Sequence, residues 1–378
     1  MSPRGDTPAI QGHCASGFEG LRDQLARSLA AGDDLGASAC LIVEGEVVAD
    51  LWGGYQDRAR TLPWERDTLA CVYSSGKAVL AALVLREVAR GTMDYDAPVS
   101  RYWDFRPGGR DVTLAQALSH QTGIVGFAEE RDPAIWLDWE ACCAGLAEEA
   151  PLWEPGTASG YGPQSFGHVV GEALRRATGR SYGAHLGALG LGVHCGLSLS
   201  GATRAAPMQK PPRPPDLGEV MRPTRVAFLE PWSAPTSVSR KDWVAAEIPA
   251  SNTHATARGL AEVMQGFATG RVGGEAWADE AAREASWTER VRGPDRVLPF
   301  DLSWGAGLMR EAGFAELGEG AFGGAPTAVG HYGFGGSVVM ADPARGLSFA
   351  YVPNKMGAVL VGDARAKALL SAVYAGAA

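Results

Sequence analysis

The sequence has no apolar run approaching the roughly 18 residues that a membrane-spanning helix requires. Its first residues, Met1-Ser2-Pro3-Arg4-Gly5-Asp6, are polar and lack the apolar centre of a secretory signal, so a cytoplasmic protein with no membrane partner is expected. It also lacks any block of basic residues and carries a net charge of −9, which argues against nucleic acid as a partner. Its 6 cysteines (Cys14, Cys40, Cys71, Cys142, Cys143 and Cys195) include no C-x-x-C pair. That argues against a zinc site or redox motif and leaves reduced, mostly buried thiols. At 378 residues the chain can form one large domain or two intimately joined ones.

What the chain does have is Cys71-Val72-Tyr73-Ser74-Ser75-Gly76-Lys77, running directly into the apolar stretch Ala78 to Val88. Val79, Leu80, Leu83, Val84 and Val88 recur at helical spacing up to Gly91, which predicts a core helix with Ser74 in its first turn. Lys77 then lies one turn along on the same face, within reach of the serine hydroxyl. A serine needs a base to act as a nucleophile, and a lysine can serve only if burial or a second cation lowers its pKa. The apolar helix supplies that burial, and the helix N-terminus offers N–H groups to a developing oxyanion. S-x-x-K is a motif of penicillin-binding proteins and serine β-lactamases, but by itself the pair is equally an N-cap serine beside a solvated lysine.

In chain order, Phe18 to Ala31 reads as a helix, and Ser38 to Val43 with Val47 to Trp52 as a hairpin. Short helices are expected at Asp111 to His120, capped by Asp111 or Thr113, and at Ala134 to Ala150, Phe166 to Thr178 and Ala255 to Thr269. The proline-rich segment 204–235 is expected to be an irregular excursion forming a wall of a site. Strands are expected at Leu302 to Arg310, Ser337 to Ala341 and Leu347 to Val352, followed by a closing helix capped by Asp363. This order implies an α+β chain. Residues 1–85 and 295–378 form a lobe around one antiparallel sheet with terminal helices, and residues 86–294 form an inserted, mainly helical lobe. The Ser74 stretch lies at their junction, where pockets tend to occur.

Two further stretches carry possible chemistry. In Pro155-Gly156-Thr157-Ala158-Ser159-Gly160-Tyr161-Gly162-Pro163, a tyrosine sits in a loop that can aim its hydroxyl into a cleft. In Gly330-His331-Tyr332-Gly333-Phe334-Gly335-Gly336-Ser337, which opens a strand, glycines allow the backbone to approach a ligand, and an N–H there can complete an oxyanion hole with that of Ser74. One decoy exists. Gly179-Arg180-Ser181-Tyr182-Gly183 matches the G-x-S-x-G nucleophile elbow, but an amphipathic helix precedes it instead of a strand, so Gly179 reads as a C-cap and Ser181 as an N-cap.

Ser74-x-x-Lys77, a tyrosine after Pro155-Gly156, and His331-x-Gly333 leading into a strand-turn-strand with Asp342-Pro343 together resemble the serine β-lactamase-like family. The likeness is greatest to family VIII carboxylesterases and their class C β-lactamase, D-aminopeptidase and acyltransferase relatives. Asp94 to Val99, Leu118 to Gly123 and Ile248 to Asn252 also look like that family, and the resemblance spans about residues 18–375. It implies a β-lactamase/transpeptidase-like fold with Ser74 as acyl-accepting nucleophile and Lys77 and Tyr161 as proton carriers, either of which can be the base. It also implies a third motif of His331 and Gly333 with the Ser74 and Phe334 amides as oxyanion hole, and no metal or cofactor.

Two departures shape the expected chemistry. Tyr161-Gly162-Pro163 lacks the asparagine of the family's tyrosine-x-asparagine, and His331-Tyr332-Gly333 replaces lysine-threonine-glycine, removing a permanent cation. Hydrolysis of neutral carboxylic esters with short to medium acyl groups follows as the expectation, with a small-molecule ester as partner and a monomer or homodimer as assembly. The alternatives are an acyltransferase, an amidase, D-aminopeptidase or weak β-lactamase, and an acylated sensor or binding module that does not turn over. Trp136, Trp139, Trp153 and Trp232, with Asn252 and Tyr332, are expected to line the acyl pocket, although such tryptophans serve equally as core.

Overall fold

Strands that are apolar at both odd and even positions need a sheet covered on both faces. A computed structural model of the chain, describing residues 9–202, 204–311 and 320–377, has such a sheet as its central layer. Among the described residues its nine antiparallel strands are β1 (Gln11–Cys14), β2 (Gly36–Val43), β3 (Glu46–Gly54), β4 (Val291–Pro294), β5 (Asp301–Trp304), β6 (Met309–Arg310), β7 (Val329–Tyr332), β8 (Val338–Asp342) and β9 (Leu347–Pro353). They lie in the order β1-β3-β2-β9-β8-β7-β6-β5-β4. The first and last hairpins meet where β9 pairs with β2, Leu347 opposite Val43 and Pro353 opposite Ala37. Strands from the two ends of the chain therefore share one sheet, as expected.

The main helices are α1 (Glu19–Ala31), α2 (Gly76–Ala89), α3 (Leu114–Leu118), α4 (Trp139–Glu148), α5 (Ser165–Thr178), α6 (Tyr182–Leu189), α7 (Ala257–Ala268) and α8 (Ala364–Gly376). Helices α1 and α8 cover one face of the sheet, where Leu21, Leu25, Leu369 and Val373 join Ala39, Leu41, Phe349 and Tyr351 in one core. Helix α7 crosses the other face, over β2, β8 and β9, and Cys40, Ile42, Val339 and Ala350 point that way. Successive residues of a strand thus belong to different cores, as the two-residue period requires. Helix α2 lies behind α7 and is buried from Gly76 to Glu87, which explains why its sequence is apolar on every side.

Several expected elements change at their boundaries for local reasons. Leu302 to Arg310 is not one strand: Gly305 and Gly307 fold it into the β5–β6 turn, with Gly307 at φ +81 against Ala81 of α2. Ala134 to Ala150 is not one helix either. A 3₁₀ turn, Pro133–Leu137, stops at Asp138, whose carboxylate accepts from Ala141 N and caps α4. Thr113, and not Asp111, caps α3 through a capping box with Gln116. The stretch Gly330 to Ser337, expected to open a strand, holds most of β7 and the turn that leads into β8. Strands β1 and β4 had no clear sequence signal, being short and largely polar at the sheet edges.

One buried ionic cluster joins these layers. Arg365, at the head of α8, donates to Asp34 Oδ1 at 2.8 Å, Asp363 Oδ2 at 2.9 Å and the Gly335 carbonyl at 2.7 Å. Ser28 and Tyr351 donate to the same Asp34 at 2.6 and 2.7 Å. Removing one partner of such a cluster leaves buried charge uncompensated. Arg365→Ala is expected to destabilise the fold by about 3–5 kcal/mol, read as a lowered midpoint in urea denaturation.

Candidate active site

The chain enters α2 through a tight turn. Tyr73 takes φ +45, a left-handed conformation that is costly for a residue with a side chain, and a 3₁₀ turn, Tyr73–Ser75, leads into Gly76. Ser74 opens onto a cavity, whereas Ser75 is fully buried. Gly76 is required by close approach, since a Cβ there would lie 2.5 Å from Thr253 Oγ1.

Lys77, on the first turn of α2, is completely buried. Its Nζ lies 3.1 Å from Ser74 Oγ, 2.9 Å from the Pro163 carbonyl and 3.1 Å from the Ala250 carbonyl. Burial pushes this amine well below the usual lysine range. A neutral amine has two N–H bonds and one lone pair. The two carbonyls can take both N–H bonds, which leaves the lone pair for the Ser74 hydroxyl proton. On the other side Tyr161 donates its hydroxyl to Ser74 Oγ at 2.6 Å. Burial raises the phenol's pKa, so it stays protonated and serves as a donor. Its ring also lies beneath the amine, with Lys77 Nζ 4.7 Å from the ring centre.

The third stretch is fastened to the nucleophile turn by two serines. Ser337 Oγ donates to the Val72 carbonyl at 2.9 Å and lies 3.0 Å from Ser75 Oγ. Gly333 sits between them, and a Cβ on it would be 2.1 Å from Val72 O, so only glycine permits this contact. His331 is buried, and its Nδ1 lies 2.7 Å from the Tyr332 carbonyl, which places a proton on Nδ1. Burial lowers its pKa to about 3, so the imidazole is neutral at pH 7. Phe334 reaches the cavity, and its ring meets Tyr73 edge-on at 6.0 Å.

Comparison with known proteins matches residues 22–373 to the Beta-lactamase family. The chain belongs to the beta-lactamase family. It is similar to the esterase/beta-lactamase LipL of Mycobacterium tuberculosis, 28% identical over 352 residues that cover 86% of this chain and 78% of that one. Among solved structures, a penicillin-binding protein homologue from Caulobacter crescentus superposes with a TM-score of 0.92 at 43% identity, covering 98% and 100% of the two chains. A family VIII carboxylesterase superposes with a TM-score of 0.87 at 37% identity, covering 97% and 99%.

In this member of the beta-lactamase family the cavity at Ser74 has a volume of about 330 Å³. The proline-rich excursion forms one wall of it through Pro214, Pro215, Leu217, Phe228 and Leu229, and Leu298, Met309, Leu360 and Val361 form others. Gln164, Ser233, Ser251 and His331 are the polar residues beside Ser74 and the tyrosines, and no charged side chain is among the described residues lining it. No cluster of His, Cys, Asp or Glu among the described residues could hold a metal. No helix among them is long and apolar enough to cross a membrane.

Of the residues expected in the pocket, only Tyr332 lines it, and its ring stacks on Phe322 while its hydroxyl donates to the Ala321 carbonyl. The others lie elsewhere. Trp136 donates to the Trp232 carbonyl and Trp232 to the Phe127 carbonyl, so both are staples of the helical region. Trp139 donates to Glu172, and Trp153 packs over Gly160 and donates to the Ala158 carbonyl. Asn252 is fully buried, accepting from Ile248 N and donating to the Trp243 and Ala246 carbonyls. Indole N–H and amide groups find backbone partners inside a core as readily as in a pocket. Ser181 caps α6, accepting from Ala184 N and donating to Glu247, after a left-handed Gly179. The lining residues missed from sequence are mostly apolar side chains on connecting segments, such as Leu217, Phe228, Leu298 and Leu360, with Met309 on β6 and the polar Gln164 and Ser233, and only the proline density of 204–235 gave any signal.

The buried amine has a consequence for stability. Its folded-state pKa is depressed, so between that pKa and about 10.4 the unfolded chain binds the extra proton and wild-type stability rises with pH. Lys77→Met has no such term. The stability of Lys77→Met relative to wild type should therefore fall by about 1.4 kcal/mol per pH unit through that window, measured by denaturant titrations at several pH values.

Proposed function

We propose that this protein is a serine hydrolase that cleaves carboxylic esters with uncharged, short to medium acyl groups through an acyl-enzyme on Ser74. The observation that carries the reading is Ser74 Oγ held between Lys77 Nζ, at 3.1 Å, and the Tyr161 hydroxyl, at 2.6 Å, in the wall of a cavity with no charged side chain among its described lining residues. In this reading Ser74 Oγ attacks the ester carbonyl carbon and its proton passes to the neutral Lys77 amine. The Ser74 and Phe334 amides hold the oxyanion. The carbon–alkoxy bond then breaks and the alkoxide takes the Tyr161 proton, which Lys77 replaces. Water attacks the acyl-enzyme by the reverse proton path, releasing the acid and restoring Ser74.

The substrate class follows from electrostatics. A substrate carboxylate would find no cationic partner among the described residues lining the cavity, and His331, where a family lysine is expected, is neutral. Transfer of an unpaired charge into such a site is costly. The description of LipL as an esterase/beta-lactamase and the 37% identical family VIII carboxylesterase support the ester reading. The first of these also favours a second reading, slow hydrolysis of β-lactams on the same serine.

The test is hydrolysis of p-nitrophenyl butyrate by wild type, Ser74→Ala and Ser181→Ala, with mass-spectrometric mapping of a phosphonate adduct. Ser74→Ala is expected to lose at least about 10³-fold in kcat and to form no adduct, while Ser181→Ala keeps both. An adduct on any other residue, or full activity in Ser74→Ala, sinks the proposal. Turnover of nitrocefin is expected to be slower than that of the ester.

A further inference from the structure

His120, outside the catalytic constellation proposed above, occupies an unusual place. It is a buried histidine at φ +61, in the left-handed region that a residue with a side chain rarely adopts. That backbone turn points its carbonyl and its ring toward the same loop. The His120 carbonyl accepts from Gly160 N at 3.0 Å, and His120 Nδ1 accepts from Gly162 N at 3.1 Å. The amide between them, Tyr161 N, donates to Asp295 Oδ1 at 3.0 Å. Three consecutive N–H groups around Tyr161 are thus each held by a buried acceptor, two of them on one residue. The His120 ring also packs against the Tyr161, Phe166 and Trp304 rings, at centre distances of 4.8, 4.8 and 4.6 Å.

From this geometry we infer that His120 is a positioning residue, a clamp that fixes the Tyr161 hydroxyl against Ser74 by gripping the backbone on either side of the tyrosine. The inference rests on the reading of Tyr161 as a proton carrier. The clamp requires one tautomer. Because Nδ1 accepts from Gly162, the ring proton sits on Nε2, and a second proton would set N–H against N–H. Burial keeps this imidazole well below its ordinary pKa, so the accepting form persists at neutral pH. A hydroxyl held 2.6 Å from the nucleophile tolerates little drift, since a displacement of about 1 Å can cost on the order of 100-fold in rate.

Two substitutions compatible with φ +61 separate the clamp from general packing. His120→Gly accepts the backbone conformation and removes the acceptor. His120→Asn also tolerates it and keeps an acceptor oxygen where Nδ1 lies. With p-nitrophenyl butyrate, His120→Gly is expected to lower kcat by at least about tenfold with KM within about twofold, and His120→Asn to restore kcat to within about threefold of wild type. Amide hydrogen exchange at Gly162 should accelerate by at least about tenfold in His120→Gly and stay near wild type in His120→Asn. Wild-type kcat and exchange in His120→Gly, or equal impairment of the two variants, overturns the clamp. Should His120→Gly fail to fold, His120→Asn decides alone: an accelerated Gly162 amide with kcat down by about tenfold or more overturns it. If the wild type does not turn over the ester, the functional proposal falls, while the exchange comparison still judges the clamp.

Discussion

The structure is organised around an amine kept out of water. Lys77 has no solvent contact, and among the described residues its nitrogen is partnered by two main-chain carbonyls and the Ser74 hydroxyl and by no carboxylate. An ion pair would hold the lysine protonated, whereas burial in an apolar shell without a counter-charge favours the neutral form. That need explains the character of α2, which is buried on nearly all sides. It also explains why the Pro163 and Ala250 segments, far apart in sequence, converge on one nitrogen. The cost in stability is carried by the sheet and its two cores.

Around that amine the fold brings together loops from distant parts of the chain by removing side-chain bulk where backbones meet. Gly76 lies against Thr253, and Gly333 against the Val72 carbonyl, in each case with no room for a Cβ. Ser75 and Ser337 then tie the nucleophile turn to the β7–β8 connection, and Arg365 grips the Gly335 carbonyl of the same connection from α8. The serine contacts are buried, so a small displacement leaves a group without a partner and is resisted. Rigidity of this kind is what proton transfer between fixed atoms demands.

The cavity follows a different logic. Its machinery is polar and sits on the rigid elements, while its walls are aliphatic and aromatic side chains from connections such as 204–235. Prolines 214 and 215 stiffen one such wall without needing regular structure. Precise chemistry is thereby separated from substrate fit, and the second can change without disturbing the first.

Much of this was legible in the sequence because it is local or periodic. The helical spacing after Ser74, the alternation around Ser38 to Val43 and Leu347 to Val352, and the order of three short motifs depend only on residues near one another in the chain. They determined the fold class, the pairing of terminal strands in one sheet and the choice of Ser74, Lys77, Tyr161 and His331 as candidates. Contacts between distant residues were not legible. Whether Trp136, Trp232 or Asn252 faces a pocket or staples the interior depends on which backbone carbonyl the fold brings to its N–H, and the tertiary structure buried Trp136 and Asn252 and packed the half-buried Trp232 against the core. The identity of the cavity walls, the carbonyl partners of Lys77 and the grip of His120 on both sides of Tyr161 were decided in the same way, because each is a short-range interaction between segments that only the packed chain makes neighbours.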